Sequence, residues 1–445
     1  DPQWLASEEG AEFAAGNRVL DGSEPIAMVY GGHQFGNWAG RLGDGRALLL
    51  GEVIDRDGQR FDVQLKGSGR TPYSRRGDGR SPLGPVLREY IVSEAMAALG
   101  IPTTRALVAS TTGETVRRDT TLPGGVLVRV AKSHIRIGTF EYFAAQGDLE
   151  AIELLVEHVI DRHYPELAGG SRGDLLRAVA ARQARLVAQW QLVGFIHGVM
   201  NTDNTLLSGE TIDYGPCAFM NEYDPATVYS SIDRRGRYAF GNQPKIAQWN
   251  LSRLASALLS VTDADDVDEA ALAEAQEVID SFPDMFRQAY GRGMARKLGL
   301  DEVSDSDWPL IEDLLELMYE TSSDYTLTFV RLTELADPRG EQADEFGPLP
   351  DAFASWVERW RSRTAQAASS ASERQEAMRA ANPVFIPRNH LVEAALESAV
   401  DDGDFSDFHT LIDVLDNPYQ YRPERAEFAR PPSPDERVEA TFCGT

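Results

Sequence analysis

A change of hydrophobic period near residue 135 constrains this chain more than any other feature of its sequence. Before it, short β-type runs alternate with glycine-rich turns; after it, apolar residues recur at helical spacing. "ALLLGEVID" and "RFDVQLKGSG" read as neighbouring strands joined by the turn "RDGQ", with Asp57 and Gly58 as turn residues. A basic, Gly- and Ser-rich loop, "TPYSRRGDGRSPLG", follows. Next, "PVLREYIVSEAMAALG" sets Val86, Leu87, Tyr90, Ile91 and Ala97 near one helical stripe, which stops at Gly100 and Pro102. "TRALVAS", "TGETVRR" and "GGVLVRVAK" predict three further strands, so this part forms a sheet with one prominent helix.

From "GDLEAIELLVEHVIDRHY" onward the pattern is helical, through "LLRAVAARQARLVAQWQLVGFIHG" and again from about Asn250 to about Val400. The strand-like "NTLLSGETIDYG" interrupts it, and the Pro-rich, polar stretch from Asn417 predicts an extended tail. At 445 residues the chain exceeds one ordinary core. The expected class is α+β, with a strand-rich N-lobe over residues 1–137, a helix-rich C-lobe over 138–415 and a tail over 416–445. A site is expected between the lobes.

A formal charge of −27 argues against a general nucleic-acid binder, since phosphate backbones repel an acidic surface. No apolar run reaches the ~18 residues of a membrane span, and "DPQWLASEEG" lacks the regions of a signal peptide. A cytoplasmic monomer is expected, with room for a trimmed segment before residue 1. Lys66, Lys132, Lys245 and Lys297 are the only lysines. A chain that otherwise uses Arg but sets Lys66 in an apolar strand can need a compact ammonium there. With only Cys217 and Cys443, a disulfide-stapled scaffold and a four-cysteine zinc site are excluded, and one pair remains open.

Several segments carry chemistry. Lys66 in "DVQLKGSG" and Glu89 on the following helix match the strand Lys and helix Glu of kinase-like sites, with Glu94 as a rival on a different helical face. Arg70, Arg75, Arg76 and Arg80 between them can neutralise a triphosphate. "GRLGDGR" offers backbone N–H groups at Gly43 and Gly45 and a forked donor at Arg46, without matching G-x-G-x-x-G or a P-loop. In "HGVMNTDNTLLSGETIDYGP", Asn204 and Asp213 are hard oxygen ligands suited to magnesium, and "DYG" stands where D-F-G would. Two short strands joined by "SGE" are expected between them. Val199 occupies the position of the usual kinase base and cannot take a proton; Asp203 is the expected replacement, with His197 supporting the loop backbone. Arg129 and Arg136 lie seven residues apart near the lobe junction; taken alone, Arg136 and His134 read as surface residues. The order of these parts is that of a bilobal protein-kinase-like fold, here a pseudokinase by its missing Asp.

"YGGHQFGNWAGRLGDGRALLLGE", "QLKGSGRTPYSRRGDGRSPLG", "HGVMNTDN", "IDYGPCAFM" and "TFCGT" together resemble the selenoprotein O family of protein adenylyltransferases, from about Tyr30 to the C-terminus. The resemblance implies a kinase-like fold that binds ATP in reversed orientation and transfers AMP to Ser, Thr or Tyr hydroxyls of proteins. It implies that Gly43, Gly45, Arg46, Lys66, Asp78, Gly79, Arg129, Arg136 and Asp213 bind the nucleotide. Glu89 would orient Lys66, Asp203 would accept the proton, and Asn204 with Asp213 would bind magnesium or manganese. Asp78 and Gly79 come from the resemblance alone. Cys443 replaces the selenocysteine of eukaryotic members, and similar pairing in bacterial members implies a regulatory Cys217–Cys443 disulfide. A γ-phosphate transferase and an inactive nucleotide-binding scaffold are the competing readings.

Overall fold

The computed structural model describes residues 2–260, 268–337, 346–366 and 369–442. Two short helices, α1 (Pro2–Leu5) and α2 (Glu8–Ala14), precede a hairpin of β1 (His33–Gln34) and β2 (Asn37–Trp38). The main sheet holds β3 (Ala47–Ile54), β4 (Arg60–Lys66), β5 (Ser81–Pro82), β6 (Arg105–Arg117) and β7 (Thr121–Ala131), all antiparallel. β7 is central: β4 and then β5 run along one edge and β6 along the other.

Strand alternation sorts this sheet into an apolar and a polar face. Leu65 joins Val126 and Val128 of β7 in a core closed by Phe13 and Ala14 of α2 and by Leu50. Gln64, opposite Arg129, and Lys66, opposite Leu127, face the other way. On that side lies α3 (Leu83–Ala98), whose Val86 packs on Leu127 and Ala106. Sheet pairing therefore delivers Lys66 and Arg129 to the helix that carries Glu89.

Past the sheet come α4 (Ile137–Gln146), α5 (Leu149–His163), α6 (Arg172–Leu192), the pair β8 (Phe195–Ile196) and β9 (Ala218–Phe219), α7 (Gln243–Leu258) and α8 (Glu269–Leu298). Ile152, Val179, Val187, Leu251 and Val278 form the centre of their shared core. α9 (Trp308–Glu320), α10 (Tyr325–Leu335), α11 (Ala354–Thr364) and α12 (Ala371–Arg379) build a second core around the stacked Trp356 and Trp360. α13 (Asn389–Glu397) and α14 (Ser406–Leu415) return to α3, burying Leu83, Leu87 and Ile91 against Phe408 and Leu411. The helix behind the site is thus wedged between the sheet and the far end of the chain, and truncating Leu87 to Ala would cost about 2–5 kcal/mol.

Two expectations are corrected. "TRALVAS" and "TGETVRR" form one strand, β6, because register shifts at Ala106/Val108 and Thr111/Thr115 absorb Gly113 without a turn. The residues between Asn204 and Asp213 do not pair with each other. Leu207 N donates to Ile135 O (3.0 Å), and Thr104 N to Thr211 O (3.0 Å), so each arm spends its backbone groups on a different neighbour. After α14 the chain makes only short 3₁₀ turns, yet it is seated: Thr441 Oγ1 donates to Pro216 O (2.6 Å), and Arg437 pairs with Glu222. No helix among the described residues is long and apolar enough to cross a membrane.

Candidate active site

A cavity of about 1120 Å³ opens where the polar face of the sheet, α3 and the 197–216 segment meet. On its wall, Lys66 Nζ lies 2.6 Å from Glu89 Oε2 and 2.7 Å from Asp213 Oδ1. Arg129 reaches the same two carboxylates, at 2.7 Å from Glu89 Oε1 through Nε and 2.8 Å from Asp213 Oδ1. Two cations and two carboxylates are balanced, which is what permits their burial. Burial opposes charge on Glu89 and Asp213, but the adjoining cations win: Arg129 and Lys66 hold Glu89 below the usual carboxylate range, and Lys66, Arg129 and Arg136 hold Asp213 well below it. Asp213 takes a left-handed backbone (φ 64°), so the chain turns sharply where it presents this side chain. Glu94 is settled as a structural residue, since it binds Arg105 at 2.6 Å and the Ala106 N–H at 2.9 Å.

The 197–204 loop is braced from within. His197 Nε2 donates to Ile212 O (2.9 Å), while its Nδ1 accepts from Val199 N (3.4 Å), the pattern of a neutral ring, and burial depresses its pKa. The loop is thereby tied to the residue before Asp213. Asn204 Nδ2 donates to Val199 O (3.1 Å). Asp203 is only 8% exposed, and burial pushes its carboxyl up to about 6. Val199, Asp203, Asn204 and Asp213 all line the cavity.

The remaining expected ligands also reach this cavity: Gly43, Gly45, Arg46, Asp78, Gly79, Arg129 and Arg136. Gly43 and Gly45 leave room for Tyr73 of the basic loop, whose Ser74 Oγ donates to Gly45 O (2.5 Å). Asp78 is held by Arg118 (2.9 Å), which keeps its pKa low. Arg70 donates to Gly77 O (3.0 Å) and Arg80 pairs with Glu114, so both are partly committed to their own loop. The surface expectation for Arg136 and His134 is wrong. Arg136 is buried against Asp44 (3.2 Å) and the Tyr30 ring (4.3 Å), with a buried Nε that has no partner among the described residues, and His134 is buried on Asp62 (3.0 Å). Sequence reasoning gave no role to Tyr30, Gln34, Asp44 or Asn201; only the "YGGHQFG" motif drew attention near the first two. Cys217 is buried, its thiol pushed up to about 11 by burial, and Cys443 lies outside the described residues.

A strand ammonium pinned by a helix carboxylate thus shares one cavity with a loop Asn and a turn Asp. The family profile described as Protein adenylyltransferase SelO matches residues 3–416. The chain belongs to the SelO family. It is similar to the protein nucleotidyltransferase YdiU of Bradyrhizobium diazoefficiens, 58% identical over 448 residues that cover 100% of this chain and 91% of the relative. The YdiU protein of Rhodopseudomonas palustris strain BisB5 is 57% identical over the same shares, and that of Rhizobium johnstonii is 55% identical over 98% and 88%. This SelO member is accordingly a nucleotidyltransferase enzyme, an activity that uses ATP as its nucleotide donor.

Proposed function

We propose that this SelO protein transfers AMP from ATP to Ser, Thr or Tyr hydroxyls of proteins, with ATP reversed in a protein-kinase-like cleft. In this reading residues 1–137 and 138–415 are its two lobes, and 416–445 its tail. The observation that carries the proposal is the division of labour on one cavity wall: Asp213 is committed to cations, whereas Asp203, buried and raised to about 6, is suited to take a proton. The acceptor oxygen forms a bond to the α-phosphorus, and the bond from that phosphorus to the bridging oxygen of the β-phosphate breaks. Pyrophosphate leaves, and the hydroxyl proton passes to Asp203. Lys66, Arg129 and Arg136 stabilise charge on the phosphates.

The quartet is already neutral, so the charge of ATP calls for a further cation. Asn204 and Asp213 fit magnesium, with manganese as an alternative. Asn204 turns its amide nitrogen to Val199 O, leaving Oδ1 to coordinate, and Asp213 Oδ2 accepts no hydrogen bond among the described residues. No cluster of three His, Cys, Asp or Glu suited to a metal exists among those residues, which accords with an ion that arrives with the nucleotide. When bound, the ion supplies neutralisation of the phosphate oxygens.

ATP labelled at the α- or the γ-phosphate, followed by mass analysis of the acceptor, tests the proposal. Added AMP is expected. Added phosphate would establish the γ-transferase instead, and no label in wild-type protein would leave a nucleotide-binding scaffold.

A further inference from the structure

The segment Tyr30–Trp38, which includes the β1–β2 hairpin, lies as a strap against residues 201–203 of the 197–204 loop. Three consecutive strap residues meet three consecutive loop residues. His33 N donates to Thr202 Oγ1 (2.7 Å), Gln34 Nε2 to Asp203 Oδ2 (3.0 Å), and Phe35 N to Asn201 Oδ1 (3.2 Å). Tyr238 closes the last contact, its hydroxyl accepting from Phe35 N (3.0 Å) and donating to Asn201 Oδ1 (2.6 Å). The strap is itself anchored: Gly31 N donates to Gly138 O (2.8 Å), His33 Nδ1 meets Glu141 Oε1 (2.5 Å), and the His33 ring packs between Trp38 and Trp249.

We propose that Gln34 is a positioning residue for nucleotidyl transfer, fixing the Asp203 carboxylate in the orientation from which it meets the acceptor hydroxyl. An ionised carboxylate only accepts hydrogen bonds, so the Gln34 amide must present its NH₂ group to it. Gln34 makes the sole side-chain hydrogen bond to Asp203 among the described residues, while Oδ1 is buried without a partner. A Cβ on Gly32 would stand 2.8 Å from that Oδ1, so strap backbone confines one oxygen and strap side chain holds the other. Both Gln34 and Asp203 line the cavity, which places this clamp at the reacting end of the loop. A carboxylate free to rotate about its side-chain bonds loses the near-attack geometry on which such transfers depend.

The inference rests on Asp203 as proton acceptor, so Asp203→Ala is measured alongside. Gln34→Met keeps the length and removes the donor; Gln34→Glu keeps the shape and replaces the donor with an acceptor. Each is assayed with α-labelled ATP, with casein and the enzyme's own chain as acceptors, and magnesium-dependent ATP binding is measured by calorimetry. For both variants kcat is expected to fall about 10- to 100-fold with ATP affinity within twofold of wild type. Because Asn204 adjoins Asp203, a merely structural role would loosen the whole loop and weaken ATP binding with the rate. A parallel loss of both, or kcat within twofold of wild type in either variant, overturns the role of Gln34. Full activity in Asp203→Ala instead removes the proton-acceptor reading itself.

Discussion

Asp203 and Asp213 stand ten residues apart in sequence on one cavity wall, yet their surroundings push them in opposite directions. Asp213 shares Oδ1 between Lys66 and Arg129 and stays ionised under all ordinary conditions. Asp203 receives one amide, is otherwise enclosed, and has its carboxyl raised to about 6. The same side chain is held as a fixed anion in one place and has its proton affinity raised in the other. Neighbours decide this, not residue type.

Substitutions can break or sharpen that contrast. The largest effect belongs to Asp213→Ala, which leaves Lys66 and Arg129 with Glu89 alone: AMP transfer should fall about 10³-fold, and calorimetry should show magnesium-dependent ATP binding lost with it. Asp203→Asn should lower kcat about 10²-fold while ATP still binds, so the two carboxylates separate in a binding assay. Equal loss of binding in both would erase the distinction. Gly32→Ala crowds Asp203 Oδ1 without touching the phosphate end, and steady-state assay should find about a tenfold lower kcat at unchanged KM for ATP.

Lys297 supplies a control outside the cavity, and its replacement should alter transfer least of all. It is 3% exposed, its ammonium lies 3.9 Å from the Phe329 ring centre, and burial lowers its pKa to about 7. The folded-state value lies below the unfolded one, so the unfolded chain binds the extra proton between about pH 7 and 10.5. The penalty is full below pH 7 and is relieved as pH rises through that window. Lys297→Met should therefore stabilise the protein at pH 7 by on the order of 3 kcal/mol, a gain that shrinks towards pH 10 in denaturant titrations. Transfer should stay within twofold of wild type.

What could be read from the sequence was what local pattern controls. Alternation in β4 set Lys66 apart from Leu65, and helical periodicity found α3, so the sheet and its main helix were legible. Choosing Glu89 over Glu94 needed more, because the helix carries Glu94 to Arg105, a partner on β6. Arg136 and His134 look like surface residues until Asp44 and Asp62, 92 and 72 residues away, supply the carboxylates that let them be buried. Gln34 carried no local signal for the same reason. The "SGE" hairpin failed because its strands found better partners in residues 102–104 and 135–137 than in each other.

The strap has a consequence in time. Its contacts with the loop and with Tyr238 join residues 169 and 203 positions apart. A chain emerging from the ribosome thus exposes "GHQFG" long before the partner segments exist, and closing so wide a loop is a slow, late event. A polypeptide cut short of Tyr238 holds the strands that carry Lys66 and Arg129 but lacks part of what seats the strap, so that clamp can close only once about half of the chain has been made.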